Sequence, residues 1–194
     1  MSRPSQNIDK KLIELGKKKT IESGIAGLSI RSICIDSGIN LGMFYYHFKT
    51  KENFIKIVFK SLNEDHMRYL EQQIAGAATP VEKLKICFMK NAKMMVEKRG
   101  MFESLLRDVG FEEFFKELML EIREMWKNFF YSIIDECKKD GSLDSSVDTG
   151  LLLDVFTGTI NSRLRNLAFG KERAAASIDA EIEKTIDFLM ERFK

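Results

Sequence analysis

Apolar residues recur at helical spacing along most of this chain. From residue 111 to about residue 139 they return every three or four positions, as they do on one buried face of a helix. β-branched runs are few, and the 194 residues include only two prolines, so we predict an all-α protein. The same spacing predicts further helices over residues 5–23, 51–74, 81–98, 101–109, 147–169 and 177–193. In the helix that begins at Lys51, the inward positions are predicted to be Phe54, Ile57, Val58 and Leu62, with Met67 as a further candidate.

The segment that begins at Ser29 reads as two short helices joined by a tight turn, followed by the start of a third. The Ser29 hydroxyl can cap the first helix, and Gly38 supplies the residue tolerant of positive φ that ends it. Asn40 can cap the second helix, with Phe44 and Phe48 as its apolar anchors. A helix, a glycine-centred turn and a second helix form the geometry that places the second helix in the major groove of DNA.

At these residues the chain resembles the TetR family of helix-turn-helix transcriptional regulators. The residues that match the family signature in order and spacing are Gly24, Ile30, Ile33, Gly38, Ile39, Gly42, Tyr45, Tyr46, His47, Phe48, Lys49, Lys51 and Glu52. The resemblance implies a three-helix DNA-binding head over residues 1–50 and a helical body for effector binding and dimerisation over residues 51–194. It also implies a ligand-responsive regulator, by default a repressor released from its double-stranded DNA operator by a small hydrophobic effector.

The family's DNA-facing positions carry over to ten residues of this chain. They are Ser29, Arg31, Asn40, Leu41, Gly42, Met43, Tyr45, His47, Lys49 and Lys51. Among them, Arg31 is the best candidate for a bidentate guanine contact or a phosphate clamp, and Lys51 for a phosphate contact. Leu41 and Met43 stand where many family members have Lys, Thr or Ser. Apolar side chains can cover thymine methyl groups, so we expect few base hydrogen bonds and a contribution from DNA shape.

Charge is unevenly distributed along the chain. Residues 1–60 carry eleven Lys or Arg against five Asp or Glu, whereas residues 61–194 carry twenty against twenty-four. A basic head on a mildly acidic body fits a head that meets a polyanion, although charge alone would fit a solvated surface equally well. Lys17, Lys18, Lys19 and Thr20 occupy a turn where family members usually bury Leu and Phe. We expect a lysine on that face to extend its ammonium outward, with a solvated lysine face favoured over phosphate contacts.

The middle of the chain is rich in Met and aromatic residues, which form adaptable apolar linings. The positions predicted to line an effector pocket are Met95, Met101, Phe102, Leu105, Phe115, Leu118, Met119, Ile122, Trp126 and Phe129. For any one of them, solid core is the competing interpretation. The resemblance implies a homodimer formed by the last two helices. The interface positions would be Leu152, Val155, Phe156, Thr159, Ile160, Ile182, Ile186 and Leu189, unless these faces close the core of the single chain.

Several classes of protein are disfavoured by the residues that the sequence lacks. Three cysteines without C-x-x-C spacing and two distant histidines predict buried free thiols and no metal site or cofactor. No nucleophile–base set or phosphate-binding glycine loop indicates an enzyme. No apolar stretch approaches the ~20 residues of a membrane span, and no signal peptide is evident, so we expect a cytoplasmic protein without a membrane partner. The alternative function on the same fold is a non-specific nucleoid-type DNA binder or a protein-binding adaptor.

Overall fold

The structure is a computed structural model that describes residues 4–24, 27–97, 112–169 and 175–193. Within these ranges the chain forms eight helices and no strand, which confirms the all-α prediction. The predicted helix bounds agree with the structure to within one turn, and the short helix predicted over residues 101–109 lies outside the described ranges. The helices are α1 (Pro4–Ser23), α2 (Ile30–Ser37), α3 (Leu41–Phe48), α4 (Lys51–Ile74), α5 (Pro80–Glu97), α6 (Glu112–Lys139), α7 (Thr149–Phe169) and α8 (Ala175–Arg192).

The chain divides into two compact units, and the division falls within two helices. The first unit comprises residues 1–66 and 98–122, and the second comprises residues 67–97 and 123–194. Both α4 and α6 therefore contribute to each unit. The boundary predicted at residue 50 separates a DNA-binding region from the rest of the chain. The division into compact units does not test it, so it stays a prediction.

The core of the first unit contains a cluster of three phenylalanines. The Phe44–Phe48, Phe44–Phe54 and Phe48–Phe54 ring centroids lie 5.1, 5.0 and 4.8 Å apart. The first two residues come from α3 and the third from α4, so the cluster fixes α3 against the start of α4. Nearby, α1 crosses α4 at Gly16, where an added Cβ would lie 2.6 Å from Val58 Cγ2 and 2.7 Å from Phe54 Cζ. A side chain at that position would force the two helices apart.

The buried face of α4 differs in part from its prediction. The buried residues of its first half are Phe54, Ile55, Val58 and Phe59, whereas Ile57 and Leu62 are only half-buried. Within the first unit α4 has neighbours on more than one side. Phe54 packs on α3, while Lys56 and Lys60 both pair with Glu121 of α6. A single apolar stripe, which is what periodicity detects, is therefore an incomplete description of this helix.

The core of the second unit is built from α5, α7, α8, the second half of α6 and the end of α4. Phe88 of α5 stacks on Phe130 of α6 with ring centroids 4.6 Å apart. Cys87 and Cys137 are buried in the same cluster, and burial raises the pKa of their thiols to about 12 and about 11. Cys34 of the first unit is also buried and free, so the thiol prediction is confirmed. None of the described helices is long and apolar enough to cross a bilayer.

Candidate nucleic-acid interface

The two helices of the predicted helix-turn-helix begin and end at the residues that the sequence indicates. The Ser29 Oγ accepts a hydrogen bond from the Ser32 N–H at 3.3 Å, and the Asn40 Oδ1 accepts one from the Met43 N–H at 2.8 Å. Gly38 adopts φ +74°, and its N–H donates to the Ile35 carbonyl at 3.2 Å. These capping bonds satisfy backbone groups that a short helix would otherwise leave without partners.

Helix α3 has an apolar inner face and an exposed outer face. Phe44 and Phe48 are buried in the aromatic cluster. On the outer face, Leu41 is 40 % exposed and Met43 is 38 % exposed. Asn40, Gly42 and Tyr45 are exposed as well. Five of the six residues predicted to meet the groove floor or a phosphate from this segment thus lie on the accessible side of the helix, and His47 is the sixth.

The remaining predicted DNA contacts come from the flanking elements. Ser29, Arg31 and Lys49 are exposed, and Lys51 is half-buried at the start of α4. His47, within α3 itself, is different, because most of its side chain is covered and its Nδ1 lies 2.6 Å from the Asp9 Oδ1 of α1. This contact links α3 to α1. Because Nδ1 is occupied and most of the ring is covered, little of the imidazole surface is accessible for the predicted phosphate contact.

Tyr46 is a further candidate, and it is not among the ten residues predicted to contact DNA. It is the most exposed aromatic side chain among the described residues of this unit, at 73 %, and the Lys49 Nζ lies 5.2 Å from its ring centroid. The position of Tyr46 around the helix axis indicates that it is exposed. Each residue advances 100° around the axis, so a position midway between Phe44 and Phe48 points away from both. A stacked tyrosine and lysine on the exposed face are suited to contact a phosphate backbone.

The lysine run of α1 corrects one expectation. Lys17 does not extend outward: it is 7 % exposed, and its Nζ lies 2.6 Å from the Asp65 Oδ2 of α4. Lys19 also points inward, with its Nζ 2.6 Å from the Asp36 Oδ2 of α2. Only Lys18 is exposed to solvent. Carboxylates on neighbouring helices accept these ammonium groups, which is why the run is part of the packing rather than a solvated face.

The predicted pocket residues are distributed between core and half-buried positions. Leu118 and Ile122 are buried, whereas Met119, Trp126 and Phe129 are half-buried. The side chains of Met95, Met101, Phe102, Leu105 and Phe115 lie outside the described part of the chain. Their lining role therefore stays a prediction.

Most residues assigned to a dimer interface pack inside the single chain. Those buried in the core of the second unit are Leu152, Phe156, Ile160, Ile182, Ile186 and Leu189. Val155 and Thr159 are half-buried. A side chain covered by its own chain has little surface left to bury against a partner, which fits the alternative interpretation, closure of the monomer core, and the interface assignment stays a prediction. On the same two helices Leu151 is 66 % exposed and Phe188 is 57 % exposed.

Comparisons with known proteins agree with the helix-turn-helix resemblance. No family model matches the chain. The HTH-type transcriptional repressor KstR2 of Mycolicibacterium smegmatis is 26 % identical over 157 residues, which cover 78 % of this chain and 74 % of that protein. The fatty acid metabolism regulator protein of Bacillus subtilis is 23 % identical over 153 residues, with 77 % and 78 % covered.

Solved structures extend the likeness over the whole chain. A structure from Mesorhizobium loti assigned to the TetR family superposes with a TM-score of 0.77 at 15 % identity, covering 100 % of this chain and 99 % of that one. The chain has the fold of the TetR-family transcriptional regulators. FadR from Bacillus subtilis, solved with stearoyl-CoA, superposes with a TM-score of 0.69 at 20 % identity, covering 95 % and 99 %. The sequence signature lies in the head alone, whereas the shared TetR-family fold includes the body.

Proposed function

We propose that this protein is a ligand-responsive, DNA-binding transcriptional repressor that a small hydrophobic effector releases from its operator. The observation that carries the proposal is the exposed face of α3, because a capped helix anchored by buried phenylalanines can enter a major groove without unfolding. The basic charge of residues 1–60 supports the same role. KstR2, which is named as a transcriptional repressor, supports it independently.

In this proposal the contacts divide between backbone and bases. Arg31 at the start of α2 and Lys51 at the start of α4 contact phosphates or a guanine edge from either side of α3. Leu41 and Met43 cover thymine methyl groups. Tyr46 and Lys49 add a phosphate contact beside them. Recognition then depends on few direct hydrogen bonds and more on the fit of an apolar surface.

The thymine contact can be tested by removing the methyl group from the DNA. Replacing thymine by uracil deletes one methyl group per position, and burying one such group is worth about 0.8 kcal/mol, or roughly fourfold in affinity. We expect uracil-substituted operator to bind the wild-type protein more weakly by that factor for each contacted position. The difference should shrink in Leu41→Ala and Met43→Ala. Equal binding of the two DNAs to the wild-type protein would exclude methyl recognition.

The effector proposal follows from the apolar character of α6 and from the relatives. Leu118, Met119, Ile122, Trp126 and Phe129 are proposed to line the site, and an aromatic and Met-rich lining suits a long apolar ligand. Because FadR was solved with stearoyl-CoA, a long-chain acyl thioester is the first probe. Effector binding would shift the protein from a DNA-competent to an incompetent state.

We also propose a homodimer formed through α7 and α8. Two heads related by a dyad can engage half-sites about 34–36 Å apart, which a single head cannot. The exposed Leu151 and Phe188, rather than the buried residues of these helices, would supply its apolar contacts. Sedimentation of Phe188→Glu against the wild-type protein tests this assignment, since a charge at the contact would raise the monomer fraction.

The central experiment is a titration of DNA from the promoter of the protein's own gene. A discrete complex at physiological salt, released by stearoyl-CoA, would support the proposal. Lys51→Ala should weaken binding to every sequence and reduce the salt slope by about one, while Arg31→Ala should cost ~1–3 kcal/mol if it contacts guanine. Salt-sensitive binding without a discrete complex would instead favour the non-specific DNA binder.

A further inference from the structure

Lys17 is the only charged residue that is buried in the part of the chain that the structure describes. Its Nζ lies 2.6 Å from the Asp65 Oδ2 of α4 and 2.5 Å from the Glu14 Oε1 one turn earlier in α1. Burial would lower the pKa of Lys17, but the ion pairs with Asp65 and Glu14 outweigh it and raise the pKa above its usual value. The ammonium therefore stays charged inside the helix contact.

The ion pair lies next to the residues that pack against α3, the helix proposed to enter the major groove. Gly16, the residue before Lys17, is where α1 lies closest to Phe54 and Val58 of α4. Phe54 also packs against Phe44 in α3, with ring centroids 5.0 Å apart. The α1–α4 contact and the aromatic anchor of α3 consequently share one side chain. A change in the position of α1 on α4 would therefore move Phe54, and with it the orientation of α3.

An ion pair in which only the ammonium is buried adds little net stability. Desolvation of the Lys17 ammonium offsets much of its attraction to carboxylates that water still reaches, and an apolar replacement at such a position is often neutral or stabilising. An apolar contact, however, tolerates sliding, whereas an ammonium 2.6 Å from a carboxylate limits how far the two helices can shift before the pair breaks. Lys17 thus contributes to the orientation of α1 relative to α4 more than to the stability of their contact.

We propose that Lys17, through Asp65, is a positioning residue that fixes α1 on α4 and so holds α3 in the orientation that DNA requires. Breaking the pair broadens the range of orientations without unfolding the unit. Weaker DNA binding follows, because apparent affinity falls with the fraction of molecules in the competent arrangement. The DNA consequence rests on the proposed function, whereas the orientation of α3 does not.

The test compares Lys17→Met with Lys18→Met. Met retains the apolar stem of Lys17, and water can reach Asp65 and Glu14, whose side chains are 40 % and 68 % exposed. Lys18 is the matched control: its substitution removes the same charge from the same turn of α1, but its closest carboxylate, on Glu22, is 4.0 Å away. We expect Lys17→Met to bind promoter DNA at least about threefold more weakly than Lys18→Met, with an unchanged salt slope and an undiminished melting temperature.

Three results would overturn the proposal. A salt slope reduced by about one in Lys17→Met alone would make Lys17 a phosphate contact instead. A fall in melting temperature parallel to the loss of affinity would make it an ordinary stabilising residue. Equal affinity of the two variants would remove its role in DNA binding.

A second measurement needs no DNA. Spin labels attached after Tyr46→Cys and Glu64→Cys report the separation of α3 from α4, and the three native thiols are buried and escape labelling. The distance distribution should broaden with Lys17→Met and stay narrow with Lys18→Met, and identical distributions would refute the positioning role. Should the wild-type protein bind no DNA at all, the proposed function would fail while this measurement still decided the inference.

Discussion

Phe54→Ala is the substitution with the largest predicted effect on the first unit. Phe54 is fully buried, and truncating a buried Phe to Ala typically costs about 3–5 kcal/mol. Its ring also meets Phe44 and Phe48 edge-on, at interplanar angles of 68° and 71°, and each such pair is worth about 0.5–1.5 kcal/mol beyond burial. The loss should lie near the upper end of that range, about 4–5 kcal/mol, which is a large part of the roughly 5–15 kcal/mol that stabilises a typical domain.

Urea denaturation followed by far-ultraviolet circular dichroism measures this loss. Ile35→Ala is the matched control, because Ile35 is an exposed helical residue of the same unit and its truncation should change the free energy of unfolding by less than about 0.5 kcal/mol. A loss below about 1.5 kcal/mol for Phe54→Ala would show that the three rings do not form the rigid anchor of α3.

Three further effects follow from the structure. Gly38→Ala should cost about 1–2 kcal/mol in thermal unfolding, because φ is +74° there while an added Cβ would touch nothing within 4 Å. Hydrogen bonds from two lysines of α4 lower the pKa of Glu121, so its contribution to stability is present above the unfolded-state pKa of about 4.3 and is lost as pH falls. Glu121→Gln should flatten the pH dependence of the melting temperature below that value. Burial raises the pKa of the Cys87 thiol to about 12, so a thiol reagent at pH 8 should modify it readily only after unfolding.

The helices could be predicted from the sequence because their signals are local. Ser29, Gly38 and Asn40 act within four residues of themselves, through caps and a left-handed turn, and apolar periodicity needs only one helix. The environment of Lys17 could not be predicted in this way. Its partner Asp65 lies 48 positions later in the chain, and no local pattern indicates that the two side chains meet.

Local sequence patterns also cannot decide which apolar residues of α7 and α8 face a second copy of the chain. An apolar stripe on α7 or α8 has the same spacing whether it faces its own chain or a second copy. Ile182 and Ile186 carry that signal and are buried within the second unit, whereas Phe188 is exposed two residues later. The residues predicted to face DNA follow from a family signature rather than from periodicity. Even so, the signature did not separate the covered His47 from the exposed Tyr46.

Phe54 contributes both to the stability of the first unit and to the orientation of α3. A substitution at Phe54 therefore cannot separate these two effects on DNA binding. Truncating Phe54 removes the anchor of α3 and the contact with α1 together, so any loss of DNA binding would follow from unfolding as readily as from misorientation. Lys17 lies beside the same crossing but contributes a directional bond with little net stabilisation. A substitution at Lys17 can therefore change the orientation of α3 while the aromatic cluster keeps the unit folded, which separates the two effects that Phe54 combines.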